Sequence, residues 1–153
     1  MDSGNIGFVL LCAAFVFVMT PGLAMFYGGL VRKKNVVNTM MTSIFIIGVG
    51  IVMWVLFGYS LSFAPSGNAF IGDFRWLGLE GVSLTEGYTD DASIPNMVFS
   101  AFQMMFAVIT PALITGAVAG RMKFKSIFVF TIFWSLIVYY PLAHMVWGQG
   151  GLL

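Results

Sequence analysis

A chain of 153 residues with 59% hydrophobic and 8% charged residues cannot clothe a soluble domain, whose surface draws on about 25% charged residues. The formal net charge of +1 says little by itself, but the placement of the charges says a great deal. A single cysteine, Cys12, excludes an intrachain disulfide and leaves the redox compartment unspecified.

A membrane-crossing helix needs roughly 20 apolar residues. Four stretches reach that length, at about 6–30, 36–63, 97–119 and 126–147. The first lacks a basic leader, begins beside Asp2, and outruns the apolar core of a signal peptide, so it reads as a permanent span. A tight turn holding Arg32, Lys33 and Lys34 joins spans one and two and makes them antiparallel neighbours. The polar stretch 64–95 follows, and its scattered apolar residues, Trp76 among them, suggest a loop folded back on the membrane surface with Trp76 as an interfacial anchor. A second basic turn, with Arg121, Lys123 and Lys125, joins spans three and four.

Six of the seven basic residues therefore sit in two clusters. The acids Asp2, Asp73, Glu80, Glu86, Asp90 and Asp91 all lie in the N-terminal tip or the long polar stretch. Cytoplasmic loops retain Lys and Arg, which orients the chain with both termini and the 64–95 loop outside. The expected fold is an all-α polytopic membrane protein with four transmembrane helices, N-out and C-out. Pro21-Gly22, Pro111 and Pro141 are expected to interrupt spans one, three and four, where freed carbonyls need partners in neighbouring helices or a cavity. Ala112, Gly116 and Gly120, four apart, and Gly28 with Gly29 near the first turn, are small-residue positions suited to close helix packing.

No phosphate-binding loop, zinc spacing or catalytic triad is present, and the spans hold no Asp, Glu, Lys or Arg. Neither an enzyme nor a cofactor or nucleic-acid partner is implied. What remains is aromatic. Phe102 and Phe106 stand four apart on one helical face, and Trp147 ends the fourth span at the same outer side. Three such rings can attract a small cation by about 2 kcal/mol once it is desolvated. Plain aromatic packing with a belt tryptophan accounts for the same spacing. Gln103 either orients a ligand or bonds a neighbouring helix, and His144 suits a structural hydrogen bond. Phe26 and Tyr27 lie near the inner interface, where aromatic belts form.

Three strings carry a resemblance: MTPGLAMFYGGLVRKKNVVN (Met19–Asn38), AFQMMFAVITPALITGA (Ala101–Ala117) and YPLAHMVWGQGGLL (Tyr140–Leu153). In order and spacing they resemble the ammonium transporter (Amt/Mep/Rh) family over essentially the whole chain. The resemblance implies that the four spans correspond to the first four of an eleven-helix fold built as an inverted repeat and assembled as a homotrimer in the cell membrane. It implies ammonium recruitment at an outer site made by Phe102, Phe106 and Trp147, with Phe106 also one ring of a phenyl gate and Phe26 and Tyr27 near the pore. It further implies ammonia passage through an apolar pore and a PII-type regulatory protein at the cytoplasmic face. The paired pore histidines of the family lie beyond this stretch, so the chain reads as an incomplete portion of a transporter. Alternatively, it belongs to an ammonium-sensing, transporter-like membrane domain of a signalling protein. Gly120 stands where the family usually carries an acidic residue.

Overall fold

The structure, a computed structural model, describes residues 2–65, 68–89 and 92–152; Asp90 and Asp91 of the expected outer loop lie outside the described residues. Four helices are long and apolar enough to cross a membrane: Ser3–Leu30, Lys33–Phe63, Asn96–Val118 and Phe124–Trp147. Among the described residues there is no strand, only an isolated bridge between Gly87 and Pro95.

The first span is a single helix, α1 (Ser3–Leu30), capped by the Asp2 carboxylate, which accepts the Gly4 N–H at 2.9 Å. Pro21 does not interrupt it. The proline withholds one N–H, yet the backbone continues around it, as apolar spans permit when neighbouring groups re-satisfy the freed carbonyl. Pro111 is likewise enclosed within an unbroken α4 (Asn96–Val118). The expected interruptions at Pro21-Gly22 and Pro111 are therefore corrected.

Spans two and four each widen once into a π-helical turn. Span two comprises a 3₁₀ turn (Lys33–Asn35), α2 (Val36–Met53), the π turn Trp54–Gly58, and α3 (Tyr59–Phe63). Span four comprises α5 (Phe124–Trp134), the π turn Ser135–Tyr139, and α6 (Tyr140–Trp147). In each π turn the N–H reaches back one residue further than in an α-helix, from Tyr59 to the Trp54 carbonyl and from Tyr140 to the Ser135 carbonyl. The extra residue resets the facing of everything that follows. At 100° per residue, Trp54 and Tyr59 would point about 140° apart in a straight helix. Here both are buried, as are Ser135 and Tyr140. In span four the cause is local: Pro141, in the first turn of α6, has no N–H to offer the preceding turn, and the helix widens instead of breaking.

Close approach is achieved by small residues, since lipid tails supply no hydrophobic drive for helices to associate. α1 buries Thr20, Ala24 and Gly28, one turn apart, and leaves Phe8, Phe15, Val18 and Met25 exposed. A methyl at Gly28 would lie 2.8 Å from Met40 Cγ of α2, and one at Gly50 would lie 3.1 Å from Val108 of α4. Gly116 of α4 lies against the Tyr27 ring of α1, whose hydroxyl donates to the Leu113 carbonyl at 3.0 Å. Gly29 faces open space. Gly120 does not continue the α4 stripe: the helix ends at Val118, and Gly120 turns the chain with φ +71°, a left-handed conformation that glycine adopts without strain.

Towards the acidic end, spans two and four meet around Trp54, Tyr59, Phe63 and Tyr140, all about 1% exposed or less. The 64–95 segment closes over this cluster rather than lying loosely on the surface. Gly72 N–H donates to the Leu61 carbonyl at 2.7 Å, and Ser60 bridges the loop by donating to the Asp73 carbonyl and accepting from Trp76 N–H. The expected interfacial anchor, Trp76, is half-buried and stacks on Tyr59 at 5.5 Å and 15°. Loop carbonyls of Glu86 and Ser83 receive the N–H groups of Asn96 and Met97, which satisfies donors that the start of α4 would otherwise leave orphaned.

Gly116→Ala, which drives a methyl into the Tyr27 ring, is expected to destabilise the bundle by about 1–3 kcal/mol. Gly29→Ala, facing open space, is expected to be neutral or stabilising by about 0.5 kcal/mol. Thermal unfolding in detergent checks the pair; equal midpoints for the two variants would refute the contact.

Candidate functional site

The residues expected to act at the outer mouth lie on α4 and at the end of α6. Phe102 and Phe106 meet edge to face, with ring centroids 5.2 Å apart and planes at 80°, and both are partly buried. Trp147 closes α6 and is 55% exposed. Among the described residues, no ring contact joins Trp147 to either phenylalanine. The two phenyl rings are therefore brought together directly, whereas Trp147 meets α4 through other residues.

Those residues line two clefts. One, of about 350 Å³, opens between the 64–95 loop, α4 and α6, and is walled by Tyr88, Phe99, Gln103 and Trp147 among others. The second, of about 300 Å³, runs along the other side of Trp147, where Thr110 of α4 faces Trp134, Tyr139 and Leu142. Phe99, Phe102, Gln103, Phe106 and Thr110 fall within an arc of about 100° on α4 at 100° per residue. The face carrying the phenyl pair is thus the face that lines both clefts with Trp147. Among the described residues, neither cleft is walled by an Asp, Glu, Lys or Arg.

Trp147 is held by two fastenings one turn apart or less. His144, fully buried, sets Nδ1 3.1 Å from the Ser62 carbonyl and Nε2 3.0 Å from the Asn68 carbonyl. This ties α6 to the end of span two and to the outer loop. Gly148 packs on the same ring: a methyl there would lie 2.5 Å from Nδ1. Beyond it, Gln149 N–H donates to the Tyr88 hydroxyl at 2.9 Å, and the Gln149 amide donates to the Tyr88 carbonyl. Tyr88 in turn stacks on Phe99 at 4.8 Å and 7°. Burial pushes the Tyr88 phenol above its ordinary 10.0, while the hydrogen bond from Gln149 works the other way.

Phe26 is exposed and tilts against Tyr27 at 5.7 Å. Tyr27 is engaged with α4 through Gly116 and the Leu113 carbonyl. The Tyr88–Gln149 fastening leaves no sign in the sequence, because both residues sit in segments without periodicity. The one available clue was an aromatic residue inside an otherwise polar loop.

A profile of the Ammonium Transporter Family matches residues 7–153. The chain belongs to that family. The ammonium transporter of Bacillus subtilis (strain 168) is 49% identical over 150 residues, covering 98% of this chain and 37% of that protein. The crystal structure of Saccharomyces cerevisiae Mep2 superposes with a TM-score of 0.86 at 35% identity, covering 99% of this chain and 35% of that chain. A protein named as a sensor Amt protein is also similar, with a TM-score of 0.82 at 25% identity over 97% of this chain and 35% of that one. The chain thus spans about a third of the length of the family members it matches. Like them, it is an all-helical, multi-pass membrane protein.

His144→Ala removes the ring held between the Ser62 and Asn68 carbonyls and leaves a cavity, at an expected cost of about 2–4 kcal/mol. The loss is expected to appear as a lower unfolding midpoint and faster proteolytic cleavage within 64–95. Unaltered cleavage would show that His144 does not fasten the loop.

Proposed function

We propose that this chain is the leading part of an ammonium transporter and contributes the outer recruitment site for the cation. The supporting observation is the common α4 face: the Phe102–Phe106 pair lies on the same side as Gln103 and Thr110, which share clefts with Trp147. Ring faces carry partial negative charge, and attraction to a cation runs from about 0.5–1 kcal/mol at exposed sites to about 2 kcal/mol when water is excluded. With Trp147 half open, the ion meets the weaker end of that range on arrival and the stronger as it is drawn between the rings.

This chain places no formal charge further in, since the stretches 6–30, 36–63, 97–119 and 126–147 contain no Asp, Glu, Lys or Arg. Burying an intact ammonium-sized ion has an idealised cost of about 20 kcal/mol, still several after relaxation. Desolvation penalises the charged form, so a boundary between ring-lined mouth and apolar passage favours release of a proton and onward movement of ammonia. Phe106 occupies that boundary, and Phe26 and Tyr27 flank the pore towards the basic end. No bond is made or broken in substrate beyond this proton transfer, and the protein is a transporter rather than an enzyme.

The complete protein is read as an eleven-helix subunit of a homotrimer, with both ends of this segment outside and the basic turns in the cytoplasm, where a PII-type protein docks. Segregation of charge supports the orientation: Arg32, Lys34 and Arg121 meet at one end, and Asp2, Asp73, Glu80 and Glu86 gather at the other. Transport is favoured over sensing because curated relatives as close as 49% identity are named as transporters.

In the full-length protein, Trp147→Leu is expected to raise the concentration of methylammonium needed for half-maximal uptake about threefold to thirtyfold, the equivalent of losing about 0.6–2 kcal/mol of cation–π attraction. Phe8→Leu, on the open face of α1, is expected to leave uptake unchanged. Identical uptake curves for wild type and Trp147→Leu would overturn the recruitment site.

A further inference from the structure

The two basic turns, distant in sequence, form the walls of one cleft. It measures about 510 Å³ and is lined by Arg32, Lys34 and Asn35 from the first turn and by Arg121 from the second, beside Gly120. Among the described residues no acidic side chain lines it, and the only ion pair, Arg75 with Asp73 at 3.8 Å, lies at the opposite end of the bundle. Three cations are thus held around one opening without a counterion.

Two further features distinguish this cleft from a solvated rim of charge. On one side it is continuous with apolar surface: Leu30, 70% exposed, and Val31 line it where α1 ends. Behind Gly120 it adjoins a polar crevice lined by Asn38, Thr39 and Thr42, and there Thr39 is 4% exposed, its hydroxyl buried with no partner among the described residues. A buried hydroxyl without a partner is unfavourable, so the crevice favours an acceptor that completes it. Gly120 contributes by omission: a side chain at this position would start 3.2 Å from the Asn35 amide and project into the space between the turns.

We infer that this cleft binds the phosphate group of an anionic phospholipid, with the headgroup between Arg32, Lys34 and Arg121 and the acyl chains leaving along Leu30 and Val31. Basic pockets between membrane helices bind anionic headgroups in this way, with each nearby Lys or Arg contributing attraction to the membrane surface. The guanidinium groups suit bidentate contact with phosphate oxygens, and the lysine adds a point charge. A free anion would use the same cations but gain nothing from the apolar side, which is why a lipid is the chosen occupant. Binding here would brace the α1–α2 turn against the α4–α5 turn at the end of the molecule opposite Trp147. The inference does not depend on the transport activity.

The test is lipid binding to purified full-length protein in detergent, read by native mass spectrometry with phosphatidylglycerol and phosphatidylcholine as probes. Phosphatidylglycerol is expected to bind and phosphatidylcholine to bind at least about tenfold more weakly. The triple variant Arg32→Gln/Lys34→Gln/Arg121→Gln is expected to weaken phosphatidylglycerol about a hundredfold. The control Lys33→Gln/Lys123→Gln/Lys125→Gln removes the same charge from the same end but outside the cleft, and should change binding by about twofold or less. Gly120→Asp keeps every cation and adds one carboxylate at a position that Asp tolerates with positive φ, so it tests the cleft even if the triple variant does not fold. It is expected to weaken binding about tenfold. Equal weakening by the triple variant and its control, or undiminished binding by Gly120→Asp, would overturn the site. Displacement of the lipid by millimolar inorganic phosphate would overturn the lipid as occupant.

Discussion

The contact on which the rest of the molecule depends is the Tyr140 ring laid on Gly58. A methyl at Gly58 would lie 2.7 Å from Tyr140 Cζ, so only glycine lets the ring settle on the backbone of span two. Trp54 and Phe57 pack on the same ring at 6.1 and 6.3 Å. In a bilayer such packing has to supply the association that water would otherwise drive. It is made possible by the two π turns, each adding one residue at the same level of its span, so that Tyr59 and Tyr140 turn inward together. Everything beyond those turns inherits the alignment: Phe63 on one span, His144 and then Trp147 on the other.

The outer loop completes what the helices begin. It lends carbonyls to the first N–H groups of α4 and to His144, and it receives the Gln149 amide at Tyr88. Tyr59 joins the same network through a hydrogen bond from its hydroxyl to the Asn96 side chain. Buried polar groups that are fully paired rigidify their surroundings, and here the surroundings are the clefts between α4 and α6. A mobile loop would leave Trp147 free to swing, since its own indole is half exposed and makes no ring contact among the described residues. For the proposed recruitment site, rigidity at this point would matter because cation–π attraction is short-ranged and requires the ring faces to be presented rather than found.

Charge is used only at the two ends, and differently at each. At the Trp147 end, the described residues present rings, amides and hydroxyls to the clefts. The opposite end concentrates unpaired cations around a glycine turn. Between them the stretches 6–30, 36–63, 97–119 and 126–147 carry no formal charge, and under the proposed function desolvation would set the difference between what can approach and what can pass.

The chain by itself determined the number of spans, their antiparallel order and the segregation of charge, because bilayer thickness demands long apolar runs and leaves few alternatives. Its family strings pointed to Phe102, Phe106 and Trp147, and helical spacing put the first two on one face. It misled at Pro21 and Pro111, since whether a proline breaks a span depends on what lies beside the freed carbonyl, not on the proline. It misassigned Gly120 to a packing stripe for the same reason, since position along a repeat says nothing of where the helix ends. Only the tertiary structure decided the π turn at Trp54–Gly58, the burial of Trp76 against Tyr59, and the fastening of Trp147 through His144 and the Tyr88–Gln149 pair. These join residues far apart in the chain, and neither the 3.6-residue period nor local hydropathy carries information about a partner on another span.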